Sequence, residues 1–338
     1  QLLDTHPRLQ EHYVDVEFKL LGVAGSNSVP NQAAFLGGAT AVFNGSDAVP
    51  LHDAGEQPMP AGRQTMMAGG YRLWWPQSHT TNQTKNQSPP WLFATAKDLG
   101  YATFFGEEMC AAGSPWAIDA LIKDSRASHY IDHSLNEIYC RVAEQMERVS
   151  WPPDVPVPQI PPPGGTAFPL FRAVELTEET CIAGQNRFAW PLEQIKQLWQ
   201  TAKAPKFAFY SSSVLHAALQ KAMVSNSSES GIPTHKSAAL EAYDAMLSDF
   251  LASVLKNTMQ NTLILLKGDH GQHSGPETVE FDVQVEHRMP WGRLLVPSRL
   301  VPNAGRLRTN AERLVSPFDL HATLQAALLR DSRIGQRA

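Results

Sequence analysis

Apolar and polar residues alternate at two different periods along this chain, and segments of the two kinds follow one another, which predicts an α/β protein. Val14, Val16, Phe18 and Leu20 alternate with Asp15, Glu17 and Lys19, the period-two signature of a strand with one buried face. Tyr101 to Phe105, after Gly100, and Lys206 to Tyr210, entered through Pro205, predict two more strands. Between Lys236 and Lys256 the period changes. Leu240, Tyr243, Met246, Leu247, Phe250, Leu251, Val254 and Leu255 recur at helical steps and predict one amphipathic helix ending near Asn257. Thr262 to Leu266 then runs apolar on both faces, which predicts a central parallel strand. Helix followed by strand fits the second half of a right-handed crossover.

Two stretches carry neither period. Residues 151–165, WPPDVPVPQIPPPGG, hold too many prolines for a helix or a strand ladder and predict a surface excursion. The segment from Met59 to Gln87 is rich in Gly, Gln, Asn and Thr and predicts a long loop of the kind that builds substrate pockets. Neither half of the chain alone supplies a complete sheet, so 1–338 is expected to form a single domain.

Composition narrows the classes. A formal net charge of -5 offers no basic field for nucleic acid, and no apolar run reaches the length of a membrane span. Cys110, Cys140 and Cys181 are too few for a disulfide scaffold and are not spaced as a zinc finger. Asn44, Asn82, Asn86 and Asn226 each begin an N-x-S/T sequon in polar surroundings, which points to glycosylation and a secreted or lumenal location. The chain opens at Gln1-Leu2-Leu3-Asp4 with neither an initiating Met nor a signal peptide, so a fragment or processed form is expected.

The candidate chemistry sits where strands end. Asp269-His270-Gly271 directly follows the most apolar strand, at the edge where open α/β sheets bind ligands. A carboxylate and an imidazole there can converge on one metal, with Gly271 permitting the bend; the alternative is a turn with a capping Asp and a surface His. Ser28 lies where a strand passes through Gly25-Ser26-Asn27 into a helix, and a hydroxyl at a helix N-terminus can be a nucleophile or a simple cap. His216, beyond the 206–210 strand, and His273 and His287, after Asp269-His270, are open to three roles: metal ligand, general acid or solvated loop residue.

Together these segments resemble the sulfatase-like proteins of the alkaline-phosphatase superfamily, nearest to an uncharacterised eukaryotic branch. SNSVPNQAAFLGG is similar to the nucleophile segment, with Ser28 in the nucleophile position, and TLILLKGDHGQHSG to the strand and metal-ligand segment, with Asp269 and His270 on the ligands. LGYATFFGEEMC, VEHRMPW and LVSPFDLHATL match further segments in the family's order, from about residue 5 to 328. The resemblance implies a three-layer sandwich, a mostly parallel central sheet flanked by helices, truncated before the strand that carries the family's first metal-binding Asp. It implies one or two divalent ions, zinc first and manganese or calcium as alternatives, bound by Asp269, His270 and Ser28, with Ser28 and His216 in catalysis and Asn31, His273 and His287 as auxiliaries. Asn31 and Gln32 stand where sulfatases proper carry Arg, which favours phosphate over sulfate esters. The substrate expected is a small-molecule or glycan or lipid ester. A phospho-headgroup transferase and a non-catalytic binding relative are the alternatives.

Overall fold

The computed structural model describes residues 11–43, 62–66, 71–76, 91–108, 118–136, 138–139, 142, 181–182, 185–186, 188–214, 232–255, 261–271 and 280–335. Its strands are β1 (Tyr13–Glu17), β2 (Leu20–Leu21), β3 (Thr40–Phe43), β4 (Gly62–Met66), β5 (Tyr71–Pro76), β6 (Ala102–Glu107) and β7 (His133–Ser134). They continue with β8 (Cys181–Ile182), β9 (Gln185–Asn186), β10 (Lys206–Ser211), β11 (Ile264–Lys267), β12 (Gly292–Pro297) and β13 (Leu314–Val315). The helices are α1 (Ser28–Gly37), α2 (Leu92–Asp98), α3 (Ile118–Asp124), α4 (Ala189–Thr201), α5 (Ile232–Leu255), α6 (Phe281–Arg288), α7 (Ala304–Ala311) and α8 (Pro317–Gly335). The class is α/β. The chain divides into two compact units, one drawn from the described parts of 102–119 and 131–258, the other from those of 8–101, 120–130 and 259–338.

The first unit is built on a parallel sheet. β6 is its middle strand, with β10 on one side and β7 on the other. Lys206 pairs with Ala102 and Ser211 with Glu107, and the ladder is extended at its start by the Ala102 amide donating to the Pro205 carbonyl at 2.8 Å. Phe104, Leu135, Tyr139, Ile182, Trp190 and Ile195 are buried together, with Leu198, Trp199 and Phe250 packed on them. The long helix expected from the apolar stripe is α5. Leu251, Val254 and Leu255 are buried there and Tyr243, Met246, Leu247 and Phe250 half-buried, while Glu241, Ala245 and Asp249 are exposed.

The second unit holds an antiparallel sheet in the order β1-β12-β11. Thr262 to Leu266 was expected to be a central parallel strand, and this is corrected: β11 has one neighbour among the described residues, β12, and runs antiparallel to it. Two apolar faces carry no information on strand direction, and all four residues of β11 are half-buried. β1 keeps its expected register, with Val14, Val16 and Phe18 buried, and ties to β12 through Arg293, which grips Asp15 with both Nε and Nη2. The alternation breaks at Lys19, where a turn intervenes, so that Leu21 rather than Leu20 faces inward in β2. The segment from Met59 to Gln87 is not all loop. β5 pairs antiparallel with both β3 and β4, and Leu73 is fully buried. The run Tyr71-Arg72-Leu73-Trp74-Trp75 has the aromatic content of a strand, which the polar residues around it conceal.

α1 is the most buried helix of this unit. Every residue from Val29 to Gly37 is withdrawn from water, and α8 packs along it, with His321 donating from Nδ1 to the Phe35 carbonyl at 2.9 Å. The helix ends at Gly38, whose φ of 58° is the left-handed conformation that suits glycine. This burial fixes the one end of α1 that matters for chemistry, its N-terminus.

Residues 151–165 lie outside the described residues. No helix among the described residues is long and apolar enough to cross a membrane.

Candidate functional site

Ser28 is the first residue of α1, and the duty of capping falls on its neighbour. The side chain of Asn27 accepts from the Val29 amide at 3.2 Å. The Ser28 hydroxyl is thereby released from the helix end, and it lies 3.3 Å from His270 Nε2. The turn before it is stapled by Asn31, a fully buried side chain that uses all four of its hydrogen-bonding positions. Its Oδ1 accepts from the amides of Ala24 at 2.6 Å and Gly25 at 3.1 Å, and its Nδ2 donates to the carbonyls of Gly25 at 3.0 Å and Asn27 at 2.9 Å. Gly25 is required because a Cβ there would come within 2.5 Å of the Pro30 ring. Asn31 therefore shapes the nucleophile turn.

Asp269 and His270 follow β11 immediately beyond the last ladder bond, in which the Gly268 amide donates to the Trp291 carbonyl at 2.9 Å. The His270 ring is held by its own chain: Nδ1 lies 2.7 Å from the Gly271 carbonyl. A carbonyl can only accept, so Nδ1 carries the proton and Nε2 presents a lone pair in the neutral ring. Nε2 lies 3.3 Å from Ser28 Oγ and 3.6 Å from Asp269 Oδ2, and when the ring takes up a second proton it pairs with that carboxylate. The Asp269 side chain is 25% exposed and the His270 side chain 12%. Burial on its own would raise the Asp269 carboxyl, but His270, Lys267, the Ser28 hydroxyl and the His270 amide outweigh it and hold the group below the usual carboxylate range.

Gly271 has a different task from the expected bend. A Cβ on it would stand 2.4 Å from the Glu286 carbonyl oxygen and 2.9 Å from His287 Cα, so glycine is what lets this loop touch the end of α6. Across that contact the Gly271 amide donates to the His287 carbonyl at 3.1 Å. The His287 ring lies edge-on to His270, with centroids 5.6 Å apart, and its Nε2 donates to the Ser26 carbonyl at 3.0 Å.

Ser28, Asn31, Asp269, His270 and His287 are thus brought to one place. His216 and His273 lie outside the described residues, as do Asn44, Asn82, Asn86 and Asn226. Among the described residues no group of three or more His, Cys, Asp and Glu could hold a metal ion, and the Ser28 hydroxyl lies beside the Asp269-His270 pair.

Two features escaped sequence reasoning. Lys267, at the end of β11, is pushed down to about 8 by burial, against the pull of Asp269, and its ammonium sits 4.7 Å from the centre of the Phe35 ring. In the other unit, Glu108 is 2% exposed just past β6. It accepts from Tyr210 Oη, from Ser212 Oγ at 3.0 Å, and from the Ser213 amide at 2.8 Å and hydroxyl at 3.3 Å. Burial, and then the Glu108 charge, push the Tyr210 and Tyr243 hydroxyls well up. Glu107-Glu108 after a strand was the available signal, since adjacent acids at a strand end are seldom buried without a reason.

Residues 171–333 match a family described as a protein of unknown function, DUF229, a span that includes Asp269, His270 and His287. No curated protein matches the chain. Among solved structures it is similar to Ps i-CgsB in complex with k-i-k-neocarrahexaose, at 12% identity and a TM-score of 0.48, over 97% of this chain and 67% of that one. It is also similar to a protein in the alkaline phosphatase superfamily from Vibrio parahaemolyticus, at 12% identity and a TM-score of 0.47, over 95% of this chain and 59% of that one.

Proposed function

We propose that this chain is a metal-dependent hydrolase of phosphate esters in the alkaline-phosphatase/sulfatase-like superfamily, with Ser28 as nucleophile and sulfate esters as the second substrate class. One observation carries the reading: Ser28 Oγ, His270 Nε2 and Asp269 Oδ2 converge with separations of 3.3 Å and 3.6 Å. Zinc bonds of about 2.0–2.1 Å to nitrogen and oxygen, at tetrahedral angles, place neighbouring donors about 3.3–3.4 Å apart. The donor set, an imidazole lone pair, a carboxylate held ionised and a hydroxyl, suits zinc, with manganese or calcium as alternatives.

Asp269, His270 and Ser28 are the residues that would hold the ion. When bound, a divalent cation there supplies stabilisation of the Ser28 alkoxide and of charge on the ester oxygens. The rest is the work of the chain. Asn31 and the Asn27 cap aim Ser28 out of the N-terminus of α1, whose positive dipole end favours an anionic ester. Asp269, ionised, and His270 Nε2 are the groups beside the Ser28 proton. Attack of Ser28 Oγ on phosphorus displaces the alcohol and leaves a phosphoseryl group, which water then cleaves to restore the hydroxyl.

The chain supplemented with zinc should hydrolyse 4-nitrophenyl phosphate, and Ser28→Ala should lower kcat about 10³-fold or more. Equal turnover by Ser28→Ala rejects the nucleophile. Activity that survives chelation would instead assign His270 Nε2 as a general base to Ser28 without metal. Transfer of phosphate to an added alcohol in preference to water identifies a phosphotransferase. Neither zinc binding nor turnover identifies a binding relative.

A further inference from the structure

The geometry points to His287 as a positioning residue for the Ser28 site, an inference that rests on Ser28 being the nucleophile. Its imidazole reaches in two directions. Nε2 donates to the carbonyl of Ser26, two residues before Ser28, at 3.0 Å, and the ring packs edge-on against His270 at 5.6 Å. The main chain of the same residue accepts from the Gly271 amide at 3.1 Å. One residue at the end of α6 thus fastens the nucleophile turn and the Asp269-His270-Gly271 loop to each other.

The arrangement answers a need of this site. Ser28 stands on α1 and its partners on the loop after β11, separated by 242 positions in the chain. Asn31 braces the nucleophile turn only from within, because all four of its bonds go to residues 24–27. The Gly271–Glu286 approach braces the metal-ligand loop only against α6. His287 joins the two braces. Nε2 must carry the proton to donate to a carbonyl, so that nitrogen is committed to the tether, and His287 acts on Ser28 through this hydrogen bond and its ring packing. Displacing a reacting group by about 1 Å can cost about 10²-fold in rate, which sets the scale on which such a tether acts.

Three variants separate the contacts. His287→Ala removes both, His287→Gln keeps a donor near the Nε2 position, and His287→Phe keeps the aromatic edge without the donor. Amide exchange read over residues 24–29 is expected to quicken about fivefold in His287→Ala and His287→Phe, and to return close to the wild-type rate in His287→Gln. Zinc affinity should fall about tenfold in His287→Ala, as for other residues that orient a ligand. With 4-nitrophenyl phosphate, kcat should fall about tenfold with KM within about twofold. Exchange over 24–29 that is unchanged in His287→Ala, or restored by His287→Phe as fully as by His287→Gln, overturns the assignment. The exchange measurement needs neither metal nor substrate. Wild-type protein that binds no zinc and turns over nothing defeats the ester-hydrolase reading, while the exchange result still decides the tether.

Discussion

Two carboxylates stand just past the ends of two strands, one in each compact unit, and they are used in opposite ways. Glu108, after β6, is 2% exposed and surrounded by donors: two hydroxyls of serine, one of tyrosine and a backbone amide. Asp269, after β11, is more open, and it lies 3.6 Å from His270 Nε2. Its Oδ1 accepts from the His270 amide at 3.0 Å, and its Oδ2 is turned to the imidazole and the Ser28 hydroxyl rather than enclosed by structural donors. A carboxylate enclosed by donors fixes structure, and one grouped with an imidazole and a hydroxyl at a strand end is a candidate for chemistry. On this contrast we propose that Glu108 is a structural charge and Asp269 a working one.

Four substitutions press on that contrast. The largest effect is expected from Asp269→Asn, which should abolish zinc binding and lower ester hydrolysis about 10³-fold while shifting unfolding by less than about 1 kcal/mol. Urea titration beside a zinc titration reads both. Glu108→Ala should do the reverse, costing about 3 kcal/mol because four donors lose their acceptor, with the zinc affinity of the Asp269 site unchanged. A Glu108→Ala chain that keeps its stability would make the contrast false.

Lys267 sharpens the electrostatics. Its folded value of about 8 lies below the ordinary 10.5, so between those values the unfolded chain holds a proton that the folded chain has released. Stability must then rise with pH across that window, and the penalty of a buried ammonium is fully present below it. Lys267→Met is therefore expected to exceed the wild type by about 1–3 kcal/mol at neutral pH, the gap closing by about pH 11. Denaturant midpoints at several pH values measure it, and a gap independent of pH would refute it. The smallest effect should come from Gly271→Ala. A Cβ 2.4 Å from a backbone carbonyl must push the loop from α6, at about 1–2 kcal/mol, visible as a lower Tm and weaker zinc binding.

Much of this was legible in the sequence, and what was not has physical causes. Residues whose partners are near in sequence announced themselves. The stripe from Leu240 to Leu255 is one helix face, and the polar turn Gly25–Asn31 opens a helix. Asp269-His270 gained meaning from the apolar strand just before it. What depended on distant partners was hidden. Nothing in Ile264–Lys267 tells that its neighbour is β12, running antiparallel, and nothing in Glu108 tells that Tyr210, 102 positions away, will donate to it. Leu20 misled because the alternation survives a turn at Lys19 that the backbone does not. The strands of 62–76 were masked by composition, since Gly, Gln and Thr are read as loop unless the ladder that pairs them is known.

The central claim is that Ser28, Asp269 and His270 share one divalent ion. The direct test is a zinc titration against a chromogenic chelator, on the wild type and on His270→Ala. One zinc per chain in the wild type, bound about a hundredfold more weakly or more in the variant, is the result expected. Equal binding by the two proteins, or none by the wild type, would contradict the account.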